Sequence, residues 1–171
     1  SEESTFEVEP YCVKLFEQRW YMLGKSEGYD ELRLYALDRI KALEPTERKF
    51  KLPKKFDAAK FFEDYYGIII GDEDFDVEPV ALKVNSWQSK YLRTLPLHHS
   101  QVEVERNEEY SIFEYRLCPS FDFRQKILSM GDSVEVLAPY DLVLFMRDEV
   151  NRSAKVYSPS ELPKVYKFKV Y

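Results

Sequence analysis

Glycine is scarce in this chain, with five in 171 residues. Loops that cradle phosphates or dinucleotides need closely spaced glycines, and no Walker loop or dinucleotide fingerprint is present. A nucleophile elbow and a zinc-binding helix motif are absent as well. The two cysteines, Cys12 and Cys118, lie far apart in no metal-like spacing. They read as reduced, packed thiols of a cytoplasmic protein. The two histidines, His98 and His99, are adjacent. In a strand they point to opposite faces, so they cannot share a metal, and they offer little general-base chemistry. The expectation is a protein that is not an enzyme and holds no metal or cofactor. No run reaches the ~18 apolar residues of a membrane span. The acidic opening "SEESTFEVEP" carries no signal-peptide pattern. Positive charge is in deficit, with a net charge of -6 and a pI near 5.1. A chain-wide nucleic-acid footprint is therefore excluded, and only a local patch can serve.

What is present is aromatic: 13 Tyr and 12 Phe, with aromatics at 16%. Hydrophobic residues at 44% and charged residues at 33% describe a soluble globular chain with material for one large or two small cores. Residues 5 to 18 alternate and read as a strand interrupted at Pro10, continued by "RWYML". "GKSEGYDE" is a turn, and a strand follows through about Ile40. Asp57 caps a short helix with Phe61, Phe62 and Tyr65 on its apolar face. "GDEDFD" reads as a solvated acidic linker, because a calcium loop would need a glycine and a closing glutamate that it lacks. After it come "VEPVALKV" (strand), "NSWQSKYLRTL" (helix capped by Asn85 or Ser86), "LHHSQVEVER" (strand) and "EYSIFEYRLCP" (strand). "SFDFRQKILSMG" (helix, Ser120 cap) and "DSVEVLAP" (strand) complete a βαββαβ order, the split pattern of a ferredoxin-like sheet. A last helix follows Pro139. The predicted organisation is a mostly β module over 1–66, an acidic linker over 67–75 and an α+β module over 76–153. A tail over 154–171, ending "KVYKFKVY", is suited to adding an edge strand in a dimer.

The candidate site lies in the opening strands. Alternation puts Arg19, Tyr21 and Leu23 on one face of their strand, and Trp20 and Met22, read as core, on the other. Across the turn, Arg33, Tyr35, Leu37 and Arg39 share a face. Two readings stand for Arg33 and Arg39. One is a solvated face with salt bridges to Glu31 or Asp38. The other is an anion pocket, in which guanidinium forks grip phosphate while tyrosines stack and donate. The run from Arg48 to Lys60 holds six basic residues and one acid. It is either a solvated face or a supply of lysines beside an anion site. In "PLHHSQ", His98 and Gln101 are candidates for the polar edge of a site, or simply the start of a strand.

"RWYML", a turn, "LRLYALDRI" and "RKFKLPKKFD" together resemble the WYL domain, named for a Trp-Tyr-Leu run that here reads Trp20, Tyr21, Met22. Met in place of Leu at an apolar position costs little. "PVALKV", "LRTLPLHHSQ" and "ILSMGDSVEVLAP" resemble the C-terminal extension that follows such domains, so the resemblance covers most of residues 5 to 150. It implies an Sm-like, SH3-type small β-barrel followed by a ferredoxin-like domain. It also implies a part of a bacterial transcription regulator that senses a nucleotide or single-stranded nucleic acid. The family's basic positions fall on Arg33 and Arg39, and its aromatic positions on Trp20 and Tyr21. Duplex DNA would be met only through a helix-turn-helix that does not precede residue 1, and the barrel's first strand is expected to be missing. An open barrel edge favours pairing between copies, so a homodimer is expected.

Overall fold

The computed structural model describes residues 4–157. The expected edge strand of the tail lies outside them. Two antiparallel sheets and four helices make a mixed α+β fold. The first sheet is a meander of β1 (Val8–Phe16), β2 (Arg19–Ser26) and β3 (Arg33–Ala36), in that order. The expected continuous strand is instead a hairpin. Glu17 and Gln18 both take positive φ, at 44° and 66°, and reverse the chain between Phe16 and Arg19. No Gly or Asn marks this turn in the sequence, which is why it was not legible. Pro10 does not interrupt β1; it coincides with a register shift between Pro10 and Cys12. Gly24 is required where β2 pairs with β1 opposite Pro10, since a Cβ there would lie 2.5 Å from Val8 Cγ1. β3 ends at Ala36 rather than near Ile40, and Leu37–Arg39 close into a 3₁₀ turn.

After an irregular stretch comes α1 (Ala58–Phe61), capped as expected by Asp57, which accepts from the backbone N–H groups of Ala59 and Lys60. The second sheet has the order β5 (Val102–Arg106), β6 (Tyr110–Leu117), β4 (Glu78–Asn85), β7 (Val134–Ala138), all antiparallel. Between them run α2 (Ser86–Thr94) and α3 (Phe121–Ser129), and α4 (Tyr140–Val156) follows β7. Asn85 caps α2 by accepting from Gln88 N at 2.8 Å. Ser120 stands at the N-cap of α3, but its hydroxyl caps nothing. Alternate residues of the central strands, Val80, Leu82 and Val84 with Phe113, Tyr115 and Leu117, form the core with Phe123, Ile127 and Leu142 from the helices. Burying each of the larger side chains contributes on the order of 1.5–3 kcal/mol.

The acidic segment is not solvated throughout: Glu73, Asp74 and Asp76 are exposed, but Asp72 and Phe75 are not. The carboxylate of Asp72 accepts from Arg124 Nη1 at 3.0 Å, with both side chains under 10% exposed. Phe75 joins the core beneath that arginine, and Arg124 also lies 4.5 Å from the Phe145 ring centroid. Asp122 accepts from the N–H groups of Ile68 and Ile69, and Gly67 lies so close to it that a Cβ would be 2.2 Å from Asp122 Oδ2. The sheets meet at this seam. Lys14 Nζ donates to Gly67 O at 2.7 Å, and Phe16 packs edge-on to Tyr66, which in turn packs on Phe123. Burial pushes the Lys14 ammonium below its usual range, against the opposing pull of Asp122.

Candidate functional site

The β2–β3 register decides which expected site residues can act together. Met22 faces Tyr35 and Gly24 faces Arg33, while Tyr21 faces Ala36 and Leu23 faces Leu34. Tyr35 and Arg33 therefore share a face with Met22, whereas Tyr21 is on the opposite face and does not join them. Arg19 is occupied by Asp38, at 3.7 Å and in solvent on both sides. Asp38 thus pairs with Arg19, not with Arg33 or Arg39.

Arg33 is exposed, and its guanidinium carbon lies 4.0 Å from the Tyr29 ring centroid. Such a contact contributes about 0.5–1 kcal/mol at a surface and holds the guanidinium plane in place. The Tyr35 hydroxyl and the buried Ser26 hydroxyl share a hydrogen bond at 2.7 Å, and the Tyr35 ring packs 5.4 Å from Phe6. Arg39 ends the 3₁₀ turn, exposed. Among the described residues, neither Arg33 nor Arg39 lies within ion-pair distance of a carboxylate. Tyr29 and Ser26 were not singled out in the sequence. The available signal was Tyr29 standing four residues before Arg33 in a glycine turn.

Trp20 and Met22, expected as core, are not buried. Trp20 is 51% exposed and Met22 is half-buried. Cross-strand pairing sets Trp20 beside Leu15 and Met22 beside Val13, and those neighbours are 54% and 57% exposed. Among the described residues, nothing covers this apolar face of the first sheet. The seam to the second sheet is made from the other face, where Lys14 and Phe16 stand.

The basic run is tied to β1 through aromatic contacts, with Tyr11 stacked on Phe50 and edge-on to Phe56. Its leading cation is committed, since Arg48 pairs with Glu7 at 3.3 Å and Glu9 at 3.0 Å. A hollow of about 360 Å³ beside Tyr29 is lined by Glu9, Glu27 and Asp30 against Lys25 and Arg48, so acids outnumber bases there.

His98 and Gln101 belong to the second unit, in a turn and not in a strand. Their segment lacks the alternation assumed for it, and the two histidine rings pack with centroids 4.2 Å apart instead of on opposite faces. His98 is buried and its Nδ1 is 2.7 Å from Ser100 Oγ. Burial, then the neighbouring His99, lowers its pKa. His99 Nε2 lies 2.7 Å from Glu63 O. Gln101 accepts from Leu97 N and from the Tyr115 hydroxyl, and donates to Leu92 O. No cluster of three or more metal-ligating side chains occurs among the described residues. No described helix is long and apolar enough to cross a membrane.

Against known proteins, no curated protein matches the chain. Among solved structures, one similar chain is proteasome accessory factor B/C (PafBC) of Arthrobacter aurescens, at 20% identity and a TM-score of 0.41. The alignment covers 97% of this chain and 25% of that one, so this chain spans a quarter of that protein's length. The family model of the WYL domain matches residues 1–45, the stretch that forms β1, β2, β3 and the 3₁₀ turn bearing Arg39. The resemblance to the WYL domain family is thereby shown over these residues.

Proposed function

We propose that this chain is the ligand-sensing and dimerisation region of a bacterial transcription regulator, with a nucleotide or single-stranded nucleic acid as effector. The observation that carries the reading is Arg33: inside the WYL match, braced on Tyr29, and free of any carboxylate partner among the described residues. A guanidinium so placed binds phosphate, and the adjoining tyrosine faces suit a base. In this reading Tyr35 joins from Arg33's own face and Arg39, exposed at the end of the 3₁₀ turn, is the second candidate cation, while Arg19 contributes only by occupying Asp38. The finer fold reading is an Sm-like barrel remnant followed by a ferredoxin-like unit. The strand order β5-β6-β4-β7 with one helix in each crossover supports the second half of that reading. Regulation follows by linkage: an effector shifts the dimer, and whatever DNA-binding unit is joined to it, by no more than its differential affinity. In this reading duplex DNA is contacted by a helix-turn-helix outside these residues, the protein works in the cytoplasm, and no catalytic step is assigned.

Fluorescence polarisation with short labelled single-stranded oligonucleotides at low salt tests the effector site. Arg33→Ala with Arg39→Ala should weaken binding about tenfold or more and flatten its salt dependence. Equal binding by both proteins would end the reading. The apolar face of Val13, Leu15, Trp20 and Met22, bare among the described residues, favours a second reading, a module that only assembles. Oligonucleotide binding separates the two, because a pure assembly module shows none at all, while sedimentation of Leu15→Glu reports whether this face holds the dimer under either reading.

A further inference from the structure

A cleft of about 580 Å³ opens where α2 meets the β5–β6 turn. Ser86, Lys90 and Arg93 line it from α2, and Arg106, Asn107 and Glu108 from the turn. Spacings of four and three put the α2 residues on one helix face. Arg93 is locked in place. Its Nε and Nη2 donate to the Glu103 carboxylate at 2.6–3.1 Å, and Nη2 also donates to the buried Ser111 hydroxyl at 2.8 Å. Its Nη1 has no hydrogen bond among the described residues; Lys90 and Arg106 lie beyond ion-pair distance of a carboxylate there, though the charge of Arg106 also acts on Glu103. Three cations therefore stand against two acids, Glu103 and Glu108, in a chain of net charge -6. The hollow beside Tyr29 has the reverse balance, two cations against three acids. The positive cleft thus belongs to the second sheet, away from the arginines of the WYL match.

We propose that this cleft is a second ligand site, which binds the phosphate group of a small ligand: a phosphate monoester or the free anion. Arg93 presents a guanidinium edge fixed in advance, so little is lost in ordering it on binding. Lys90 and Arg106 close on the anion as flexible charges. The cleft is open to solvent, so a ligand there is held by its phosphate and not enclosed. The site is independent of the effector reading at Arg33 and Arg39.

Amide-resolved NMR titration of the full 171-residue chain at low ionic strength tests it, with inorganic phosphate, adenosine monophosphate and adenosine as probes. Phosphate and the monophosphate should shift the amides of residues 86–93 and 106–108, and adenosine should not. A nucleotide tighter than phosphate assigns the monoester, and equal affinities assign the free anion. Lys90→Ala with Arg106→Ala should weaken binding about tenfold. Both side chains are exposed, so the variant's spectrum should otherwise match the parent's. Arg33→Ala with Arg39→Ala should leave this binding within about twofold. The proposal is overturned by undiminished binding in the Lys90/Arg106 variant, by shifts confined to residues 29–39, or by no saturable shift at millimolar ligand.

Discussion

The two sheets divide the labour of the molecule unequally. In the first, Leu23 is the sole fully buried hydrophobic side chain among the described residues; every other one, from Phe75 to Met146, lies with the second sheet and its helices. The arginines show the same contrast. Arg124 is buried against Asp72 and two aromatic rings, while Arg33 and Arg39 stand in solvent. A buried cation without its counterion is costly, so Arg124 is a structural fixture. An exposed cation without a counterion costs nothing, and is available to a ligand. The second sheet supplies the rigidity, and the first supplies surface.

That contrast is open to attack by paired substitutions. Phe113→Ala should cost about 3–5 kcal/mol in chemical unfolding, against under about 1 kcal/mol for the half-exposed Trp20→Ala. A Trp20 effect as large as that of Phe113 would mean its face is covered in solution. Asp72→Ala should cost about 3 kcal/mol, because it strands Arg124, whereas Asp38→Ala, freeing only the exposed Arg19, should fall within about 1 kcal/mol. Gln18→Gly should stabilise by about 1 kcal/mol, since a non-glycine residue at φ 66° is strained, and a thermal melt reads this directly.

The smallest effect expected is one of pH. Hydrogen bonding to Arg93 holds the Glu103 carboxyl down at about 2, below its usual 4.5. A depressed acid contributes stability that is present in full above pH 4.5 and lost as pH falls toward 2. The melting temperature of Glu103→Gln should therefore lie below the parent's at neutral pH and converge with it near pH 2. A gap that persists unchanged at low pH would assign the effect to packing and not to charge.

Much of the second sheet was legible because its strands alternate and α2 carries its cap, although Ser120, expected to cap α3, does not. Asn85 and Asp57 act where their side chains predict. The hairpin at Glu17–Gln18 was hidden because left-handed conformation was adopted by residues that do not advertise it. The acidic segment misled for another reason. Composition reports that Asp72 is charged, not that Arg124, more than fifty residues later, will bury it. The histidine pair was assigned to opposite faces on the premise of a strand, and the chain turns there instead.

Local pattern alone was enough to place most of the strands and helices and the βαββαβ succession, because periodicity and capping act between residues close in the chain; the WYL-like stretch was placed by its resemblance to a family. Which arginines are free and which are spent was decided only in three dimensions. So were the separation of Tyr21 from Tyr35 and the apolar face left bare on the first sheet. Strand register and long-range ion pairing join residues whose distance along the chain carries no signal of their meeting.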